Sequence, residues 1–302
     1  MIIEKLSREV GLSTAALRKY VRTASHRYKT YAVAKKKGGT RIIHHPARSL
    51  KFLQRWAVKE LEGLIPIHPS ATAYHVGASI NANAARHASN NFILRVDFRE
   101  FFPSIKGRDV ALLLSKARQG AQVVFDEDDI DTIVSIVCRH GELTIGAPSS
   151  PFLSNAIMYD FDKHWTARAT SLHCAYSRYA DDLYFSTVRR DVLAGLLEEV
   201  RVHLREMPYP NLFINESKLV FTSRKRRRLV TGLILTPQGN LSIGHDRKRY
   251  IRSLVHKGIT GKLDPSELGR LRGLLSYVKS AEPTFVESLN RKFGEEMVRN
   301  LG

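Results

Sequence analysis

The sequence predicts an α+β fold, in which helices and strands occupy separate stretches instead of alternating regularly. Apolar residues recur at helical spacing over residues 4–22, over 49–64 and from about residue 245 onward. The middle of the chain instead contains short β-rich runs, two of which flank a pair of adjacent carboxylates. With 302 residues, 43% of them hydrophobic, the chain can bury a large core, which excludes disorder as a description of the whole.

The N-terminal third is predicted to contain helices and one basic hairpin. Residues 4–22 form one or two helices interrupted near Gly11, and 49–64 form another. Between them, the alternating runs 28–33 and 40–43 flank Gly38-Gly39, a pattern typical of a β-hairpin. The lysines immediately before these glycines give the hairpin a basic tip.

The remaining elements follow from the same periodicities. A short apolar strand over 92–98 contains Asp97 near its end, and 175–186 form a hairpin with Asp181-Asp182 at its turn. Further strands are expected near 212–221 and 229–235. Helices are expected over 108–117, 128–140, about 152–168, about 191–206 and, starting at Asp264-Pro265 and at Pro283, in the C-terminal part. Asp160 and Asp162 are expected on the surface of their helix.

The charge of the chain indicates its class of partner. Lys and Arg number 48 against 29 Asp and Glu, which gives a formal net charge of +19 and makes nucleic acid the expected partner. No apolar run approaches the roughly 20 residues of a membrane span, and charged residues occupy the place of a signal peptide, so we expect a cytoplasmic protein. Cys138 and Cys174 are the only cysteines, which excludes a disulfide framework and a thiolate zinc site.

Three carboxylates lie at the ends of predicted strands. Asp97 closes one strand, and Asp181 and Asp182 occupy the turn of a hairpin. Rigid strands can hold such side chains at a common point, and hard divalent ions such as Mg²⁺ prefer oxygen ligands. In a strongly basic protein this pattern points to nucleotidyl transfer at two metal ions. The alternative is that the adjacent aspartates simply occupy a solvated turn.

Around these carboxylates the sequence resembles reverse transcriptases. Tyr179-Ala180-Asp181-Asp182 resembles their YxDD box, and Asp97 resembles their first palm aspartate. Three further blocks follow the family pattern, namely Gly39-Thr40-Arg41, Gly146-Ala147-Pro148-Ser149-Ser150-Pro151 and Asn215-Glu216-Ser217-Lys218. Two more elements are similar to those of bacterial retron reverse transcriptases, the NAxxH element at Asn83-Ala84-Ala85-Arg86-His87 and the VTG element at Val230-Thr231-Gly232. The resemblance covers residues from about 28 to about 300.

The resemblance implies a right-hand polymerase fold and an RNA-directed DNA polymerase activity. Its parts would be fingers, a palm made of an antiparallel sheet plus helices, and a short helical thumb. The expected division is N-terminal helices and fingers over 1–94, palm over 95–236 with a fingers segment at about 106–150, and thumb over 237–302.

The resemblance also implies roles for individual residues at the active site. Asp97, Asp181 and Asp182 would bind two Mg²⁺ ions, or Mn²⁺, with the backbone carbonyl of Phe98. Lys218 would protonate the leaving pyrophosphate, although a lysine on a strand edge can equally be a solvated side chain. The incoming nucleotide would be bound by residues of the fingers and palm, namely Lys35, Arg41, Phe101, Phe102 and Gly146.

Two of these nucleotide-binding positions carry a specific expectation. Phe102, five residues after Asp97, would exclude the 2′-hydroxyl of ribonucleotides, or else be a core residue. Ile145 replaces a glutamine found in many relatives, so Gly146 and the backbone of its turn are expected to contact the nucleotide.

The implied nucleic-acid partner is a structured noncoding RNA of the msr-msd type. The chain would copy part of it into single-stranded msDNA from dNTPs, primed by a 2′-hydroxyl of the RNA itself. An effector protein in antiphage defence and a host RNase H would be further partners, and no membrane is expected. The residues expected to contact RNA or primer are Asn83, His87, Arg226, Arg227, Arg228, Val230, Thr231, Gly232, Arg247, Lys248 and Arg249; for His87 and Asn83 the alternative is polar capping.

Two other functions remain possible from the sequence. A group II intron-like reverse transcriptase would be expected to carry an additional C-terminal domain. A catalytically dead RNA-binding or regulatory protein is suggested by residues 6–13, whose order resembles the first half of a helix-turn-helix. The intact set of three aspartates argues against a dead enzyme.

Overall fold

The N-terminal part of the molecule contains the predicted helices and hairpin. The structure is a computed structural model that describes residues 2–34, 38–120 and 125–302. Its first elements are α1 (Ile2–Val10), α2 (Thr14–Arg22), β1 (Tyr28–Ala34), β2 (Thr40–Pro46) and α3 (Arg48–Glu62). β1 and β2 pair antiparallel from Tyr28 opposite Pro46 to Ala34 opposite Thr40, which confirms the hairpin.

The middle of the chain builds the central sheet and the helices that cover it. These elements are α4 (Ile80–Ala88), β3 (Phe92–Asp97), α5 (Phe101–Ser104), α6 (Gly107–Gly120), α7 (Glu127–Val137), α8 (Ser150–Ile157), α9 (Tyr159–Ser171), β4 (Ala175–Tyr179), β5 (Asp182–Thr187), α10 (Val192–Glu206) and β6 (Val220–Ser223). The four strands are antiparallel in the order β4-β5-β3-β6. The predicted strand 92–98, the hairpin 175–186 and the helix 191–206 are thereby confirmed to within a few residues.

The C-terminal part is a small sheet followed by helices. It contains β7 (Arg228–Val230), β8 (Leu233–Leu235), β9 (Leu241–Ser242), α11 (His245–Ile259), α12 (Pro265–Ala281), α13 (Pro283–Phe293) and α14 (Glu295–Leu301). Asp264 caps the N-terminus of α12 and forms a reciprocal capping box with Glu267, as predicted from its position before a proline.

Four element predictions need correction. The helix expected over 152–168 is two helices, because the backbone of Met158 has ψ 8° and tightens the turn between α8 and α9. The strand expected over 212–221 is confined to β6, since a 3₁₀ turn occupies Glu216–Lys218. The strand expected over 229–235 is the antiparallel pair β7 and β8, because Thr231 and Gly232 reverse the chain with positive φ values. The helix expected from Pro283 was predicted to contain Met297, four residues after Phe293, but it ends at Phe293. Gly294 follows with a positive φ of 87°, and Met297 belongs to the separate helix α14.

Two apolar cores support these layers. The larger one packs α1–α3 and α6–α10 with one face of the central sheet. The smaller one packs α4, β7–β9 and the C-terminal helices against the opposite face, where Ile93 and Tyr184 point. No helix in the described part of the chain has the length and apolar character needed to cross a membrane.

Candidate active site

The register of the central sheet brings the three predicted carboxylates together. Asp97, the last residue of β3, lies opposite Asp182, the first residue of β5. The N–H of Phe98 donates to the carbonyl of Asp181 at 3.0 Å, which ties the hairpin tip to the end of β3. Ala180 turns the chain at this tip with a φ of 56°. The backbones of all three aspartates therefore meet at one edge of the sheet.

Two cationic side chains neutralise carboxylates of this cluster. Nζ of Lys218 lies 2.8 and 2.9 Å from the two carboxylate oxygens of Asp97, which is only 2% exposed. The guanidinium of Arg95 donates to Oδ1 of Asp182 at 2.8 and 2.9 Å and to Oδ2 at 3.1 Å. The 3₁₀ turn after Asn215 positions Lys218, because the N–H of Asn215 donates to the carbonyl of Asp97 at 2.7 Å.

Burial and mutual repulsion disfavour the charged forms of the hairpin carboxylates. Burial raises the pKa of Asp181 most strongly and the negative charge of Asp97 raises it further, while Lys218 and Arg41 oppose the shift. Burial also raises the pKa of Asp182 to about 6, against the opposing effect of Arg95. A divalent cation bound among these three carboxyl groups would stabilise their charged forms.

The donor set suits a hard metal ion. Within the described ranges, no three His, Cys, Asp or Glu side chains are already gathered into a metal-binding group. The ammonium of Lys218 instead binds both oxygens of Asp97 and occupies the position where a metal ion would bind that carboxylate. Carboxylate oxygens with a neighbouring backbone carbonyl are the ligands that Mg²⁺ prefers. The residues therefore fit Mg²⁺, provided that Lys218 moves away from Asp97.

The turn that follows Ile145 packs against the fingers-like hairpin. The N–H of His44 in β2 donates to the carbonyl of Ile145 at 2.9 Å. Gly146 has a φ of 110°, and a Cβ built on it would lie 2.8 Å from the carbonyl oxygen of His44. A glycine is required here by both the backbone conformation and the close approach. Lys35, predicted to bind nucleotide at the tip of this hairpin, lies outside the described residues.

The two phenylalanines after Asp97 have different environments. Phe101 is buried and stacks on Phe98, with ring centroids 5.8 Å apart. Its side chain is part of the core, so the expectation that this ring contacts the nucleotide was wrong. Phe102 is half-buried, and its ring lies 6.4 Å from that of Tyr74.

Comparison with known proteins identifies the family of this site. The family model "Reverse transcriptase (RNA-dependent DNA polymerase)" matches residues 33–235. The chain is 37% identical to the retron Ec83 reverse transcriptase of Escherichia coli over 289 residues, which cover 93% of this chain and 91% of that protein. The chain belongs to the retron reverse transcriptases. It is also 30% identical to the retron Ec86 reverse transcriptase of Escherichia coli, over 97% of this chain and 91% of that one.

Solved structures agree with the fold of this retron reverse transcriptase. A telomerase from Candida tropicalis superposes with a TM-score of 0.56 at 10% identity, covering 91% of this chain and 56% of the telomerase chain. At that identity the likeness shows the fold alone, a right-hand polymerase with helices and antiparallel sheets. Family membership makes the chain an RNA-directed DNA polymerase, and it favours the retron type over the intron-like and catalytically dead alternatives.

The NAxxH element of the retron reverse transcriptase is structural. Both ring nitrogens of His87 are hydrogen-bonded, Nδ1 to Ser186 at 2.7 Å and Nε2 to Ser177 at 2.8 Å. Oδ1 of Asn83 accepts from the hydroxyl of Ser177 at 2.5 Å. His87 and Asn83 are completely buried, so the expectation that they contact RNA was wrong. They fix α4 to the hairpin that carries the aspartates.

The VTG element forms a tight turn that is linked to the carboxylates. Thr231 and Gly232 have φ values of 46° and 85° between β7 and β8. The N–H of Thr231 donates at 3.2 Å to the hydroxyl of Tyr184, which donates at 3.3 Å to Asp182. Val230 is buried and cannot contact RNA, whereas Gly232 is exposed.

The basic residues around this element divide into exposed and buried ones. Arg228 is completely buried, and its guanidinium donates to backbone carbonyls of Ala88, Asn90, Leu235 and Thr236. It cannot reach RNA, so its predicted role was wrong. Arg226 and Arg227 are exposed.

The predicted RNA-binding residues of α11 are partly engaged within the protein. Arg247 donates to the hydroxyl of Tyr277 at 2.9 Å, and Lys248 pairs with Glu282. Arg249 is exposed and pairs with Asp246 at 2.9 Å. Arg249 is therefore the most accessible of the three predicted contacts.

A buried ion pair that the sequence did not reveal supports the hairpin tip. Arg178 and Asp162 are both completely buried, and the guanidinium of Arg178 lies 2.6 Å from Oδ2 of Asp162. The same guanidinium donates at 3.1 Å to Asn155 and at 3.1 Å to the carbonyl of Ala180, the residue before the two aspartates. Asp162 was expected on the surface of its helix; that expectation was wrong, whereas Asp160 is exposed.

Proposed function

We propose that this retron reverse transcriptase extends DNA on an RNA template at Asp97, Asp181 and Asp182. The observation that supports this most directly is the register of β3 and β5, which pairs Asp97 with Asp182, together with the hydrogen bond from Phe98 to Asp181; these bring the three aspartates to one edge of the sheet. Two Mg²⁺ ions, or Mn²⁺, would supply activation of the primer hydroxyl and stabilisation of the leaving phosphate. The carbonyl of Phe98, which accepts no hydrogen bond from the described residues, would be a further ligand.

The surrounding side chains would bind and orient the nucleotide. Arg41 faces Asp181 closely enough to lower its pKa, which burial raises, and would neutralise the triphosphate together with Lys35. The backbone of the turn at Gly146 would bound the pocket on the side of the hairpin. The half-buried ring of Phe102 would clash with a 2′-hydroxyl and so select deoxynucleotides.

Lys218 would move a proton at the end of the reaction. The primer 3′-hydroxyl loses its proton to water as its oxygen forms a bond to the α-phosphorus, and the bond from that phosphorus to the bridging oxygen of pyrophosphate breaks. The side chain of Lys218 is 52% exposed, so it can turn from Asp97 toward this leaving oxygen and donate a proton.

The template would be a structured noncoding RNA of the msr-msd type, copied in part into msDNA from a 2′-hydroxyl of that RNA. Similarity to retron reverse transcriptases over more than nine-tenths of the chain supports this substrate. The exposed side chains of Arg226, Arg227 and Arg249, with the turn at Thr231-Gly232, would contact it. An effector protein in antiphage defence and a host RNase H would complete the system.

We divide the chain into N-terminal helices and fingers over 1–94, palm over 95–236 with a fingers segment at about 106–150, and thumb over 237–302. The smaller apolar core supports a close connection between the first and last of these units. In it Ala84 and Ala88 pack together with Val230, Leu233 and the C-terminal helices.

The test of the RNA substrate is to sequence the nucleic acid that co-purifies with the chain from cells carrying its genomic surroundings. We expect one structured RNA joined to a single-stranded DNA that is complementary to part of it. A mixture of unrelated RNAs with no attached DNA would contradict the proposed substrate. Challenging the same cells with phage, with and without the gene, tests the role in defence.

A further inference from the structure

A second basic cavity lies at the end of the central sheet far from the aspartates. Its volume is about 800 Å³, and three segments line it: the start of β3, the connection from β5 to α10, and β6 with the following turn. Phe92 lies opposite Thr187 and Ser223 here, whereas Asp97 lies opposite Asp182. Five residues of strand separate the two ends, which is about 17 Å at about 3.4 Å per residue. We call this cavity the palm-end groove.

The palm-end groove carries an excess of positive charge. Five basic side chains line it together with a single acid, Asp191; they are Arg189, Arg190, Arg224, Lys225 and Arg226. Among the described residues none of the five forms an ion pair, and Arg224 instead donates to the carbonyl of Ser89 at 2.7 Å. Such a cluster repels itself and attracts a polyanion.

Exposed apolar side chains lie among these charges. Phe221 in β6 is 47% exposed and lines the same cavity, as does Val188, which is 56% exposed. Grooves that combine cations with an accessible aromatic ring are typical of single-stranded nucleic-acid sites, where phosphates contact the cations and a base stacks on the ring. In a duplex the bases are already stacked on one another, so Phe221 favours a single strand.

Protection of an exposed sheet edge is the competing explanation for part of this charge. β6 is an edge strand, and basic residues on such strands prevent pairing with other chains. That explanation covers Arg224, Lys225 and Arg226, which follow β6 directly. It does not cover Arg189 and Arg190, which come from the other side of β3 and converge on the same cavity.

We propose that the palm-end groove binds a single-stranded polynucleotide segment outside the catalytic cleft. Phosphates would lie on the arginines and one base on Phe221. The inference rests on the proposed function, since a polymerase working on a long RNA handles single strands beyond the cleft. The strand could be unpaired template RNA or the DNA product, because the two share phosphate and base chemistry.

The test measures binding of labelled 12-nucleotide oligouridylate and oligothymidylate by fluorescence anisotropy at several salt concentrations. The cleft is first saturated with an unlabelled primer–template hybrid, in metal-free buffer. The groove variant combines Arg189→Ala, Arg190→Ala and Lys225→Ala. The control combines Arg8→Ala, Lys19→Ala and Arg22→Ala, which removes the same charge from exposed positions of α1 and α2.

We expect the groove variant to flatten the salt dependence by about 2, since each lost phosphate contact on a single strand removes about 0.7 from the slope. The control should keep the wild-type slope. Phe221→Ala should weaken binding by about fivefold or more, because one stacked base is lost. It should not change the salt slope, because no charge is removed. Equal slopes for groove variant and control would overturn the proposal.

A second measurement needs no variant. Oligonucleotides containing 4-thiouridine or 4-thiothymidine are crosslinked to the wild-type chain, and the attached peptides are identified by mass spectrometry. Crosslinks to the segments that line the groove, 91–93, 188–194 or 221–226, support the proposal, and crosslinks confined to other segments overturn it. The probe that crosslinks more strongly identifies the strand as RNA or DNA. Extension of the hybrid by wild-type protein in Mg²⁺ reports on the proposed function separately, so its failure would not be confused with loss of groove binding.

Discussion

The ammonium of Lys218 binds both carboxylate oxygens of Asp97, at 2.8 and 2.9 Å. Asp97 is buried, whereas the side chain of Lys218 is 52% exposed. The lysine can therefore leave while the aspartate stays. A metal ion that binds Asp97 must displace this ammonium, so the same residue opposes metal binding before the reaction and is free to donate a proton during it.

This competition predicts that Lys218→Ala tightens metal binding. Removal of this half-exposed ion pair should strengthen Mn²⁺ binding by about two- to fivefold, because that factor corresponds to the free energy with which such a pair is normally stabilised. Turnover at saturating metal should nevertheless fall by about 100-fold or more, because the proton donor is lost. Isothermal titration with Mn²⁺ alone and single-turnover extension measure the two effects. Lys218→Arg serves as the charge-retaining control, and weaker Mn²⁺ binding by Lys218→Ala would refute the competition.

The environment of Phe102 predicts a loss of sugar selectivity on truncation. Phe102→Ala should raise ribonucleotide incorporation relative to deoxynucleotide by at least about tenfold, because the ring that excludes the 2′-hydroxyl is gone. Paired kcat/KM values for one dNTP and its rNTP provide the measurement. Phe213→Ala, at a ring that is 58% exposed, is the control and should keep the wild-type ratio. An unchanged ratio in Phe102→Ala would make Phe102 a core residue only.

Replacing the adjacent residues Arg227 and Arg228 is predicted to affect different properties, RNA binding for Arg227 and stability for Arg228. Arg228→Met should lower the free energy of unfolding by about 2–5 kcal/mol, since buried carbonyls lose their donors. Arg227→Met, at an exposed position, should leave stability nearly unchanged and flatten the salt slope of RNA binding by about 0.7–0.9. Urea unfolding and binding titrations separate the two. Equal stability of both variants would show that the Arg228 hydrogen bonds are dispensable.

Because His87 is buried, we expect the free energy of unfolding to depend on pH. Burial lowers its pKa from 6.5 to about 3, with a smaller contribution from Arg86. Between these values the unfolded chain binds a proton that the folded chain does not, so the stabilisation is present above pH 6.5 and is lost as the pH falls. The slope is about 1.4 kcal/mol per pH unit.

His87→Gln should remove this contribution between pH 5 and 6.5, as measured by urea unfolding at each pH. Ser177→Ala is the control, because it removes one hydrogen bond of His87 but leaves the imidazole buried. It should lower stability at every pH and keep the slope. A His87→Gln variant with the wild-type slope would show that His87 is protonated in the folded protein.

The sequence predicted the hairpin tip because its signal is local. Alternating apolar residues on both sides of Asp181-Asp182 specify two strands and a turn, and the end of β3 at Asp97 is equally visible. The partners of these residues were not predicted. Arg95 and Asp182 are 87 residues apart and meet only through the β3–β5 register.

Burial of charged residues was the main source of error. Asp162 has the spacing of a surface position on a charged helix, and only its pairing with Arg178 from β4 explains its burial. Arg228 continues a run of basic residues that is otherwise exposed. What distinguishes it is its position in β7 opposite Leu235, beside the carbonyls that end α4. Composition and periodicity carry no information about such distant carbonyl acceptors.

The most direct test of the three-carboxylate site is primer extension by Asp181→Asn on an RNA template. Since burial and Asp97 raise the pKa of Asp181, a neutral amide should not destabilise the fold. We predict a loss of at least about a thousandfold in the extension rate in Mg²⁺, with RNA binding retained. Asp131→Asn, at an exposed position of α7, should extend at the wild-type rate. Extension by Asp181→Asn at a rate close to wild type would contradict the account.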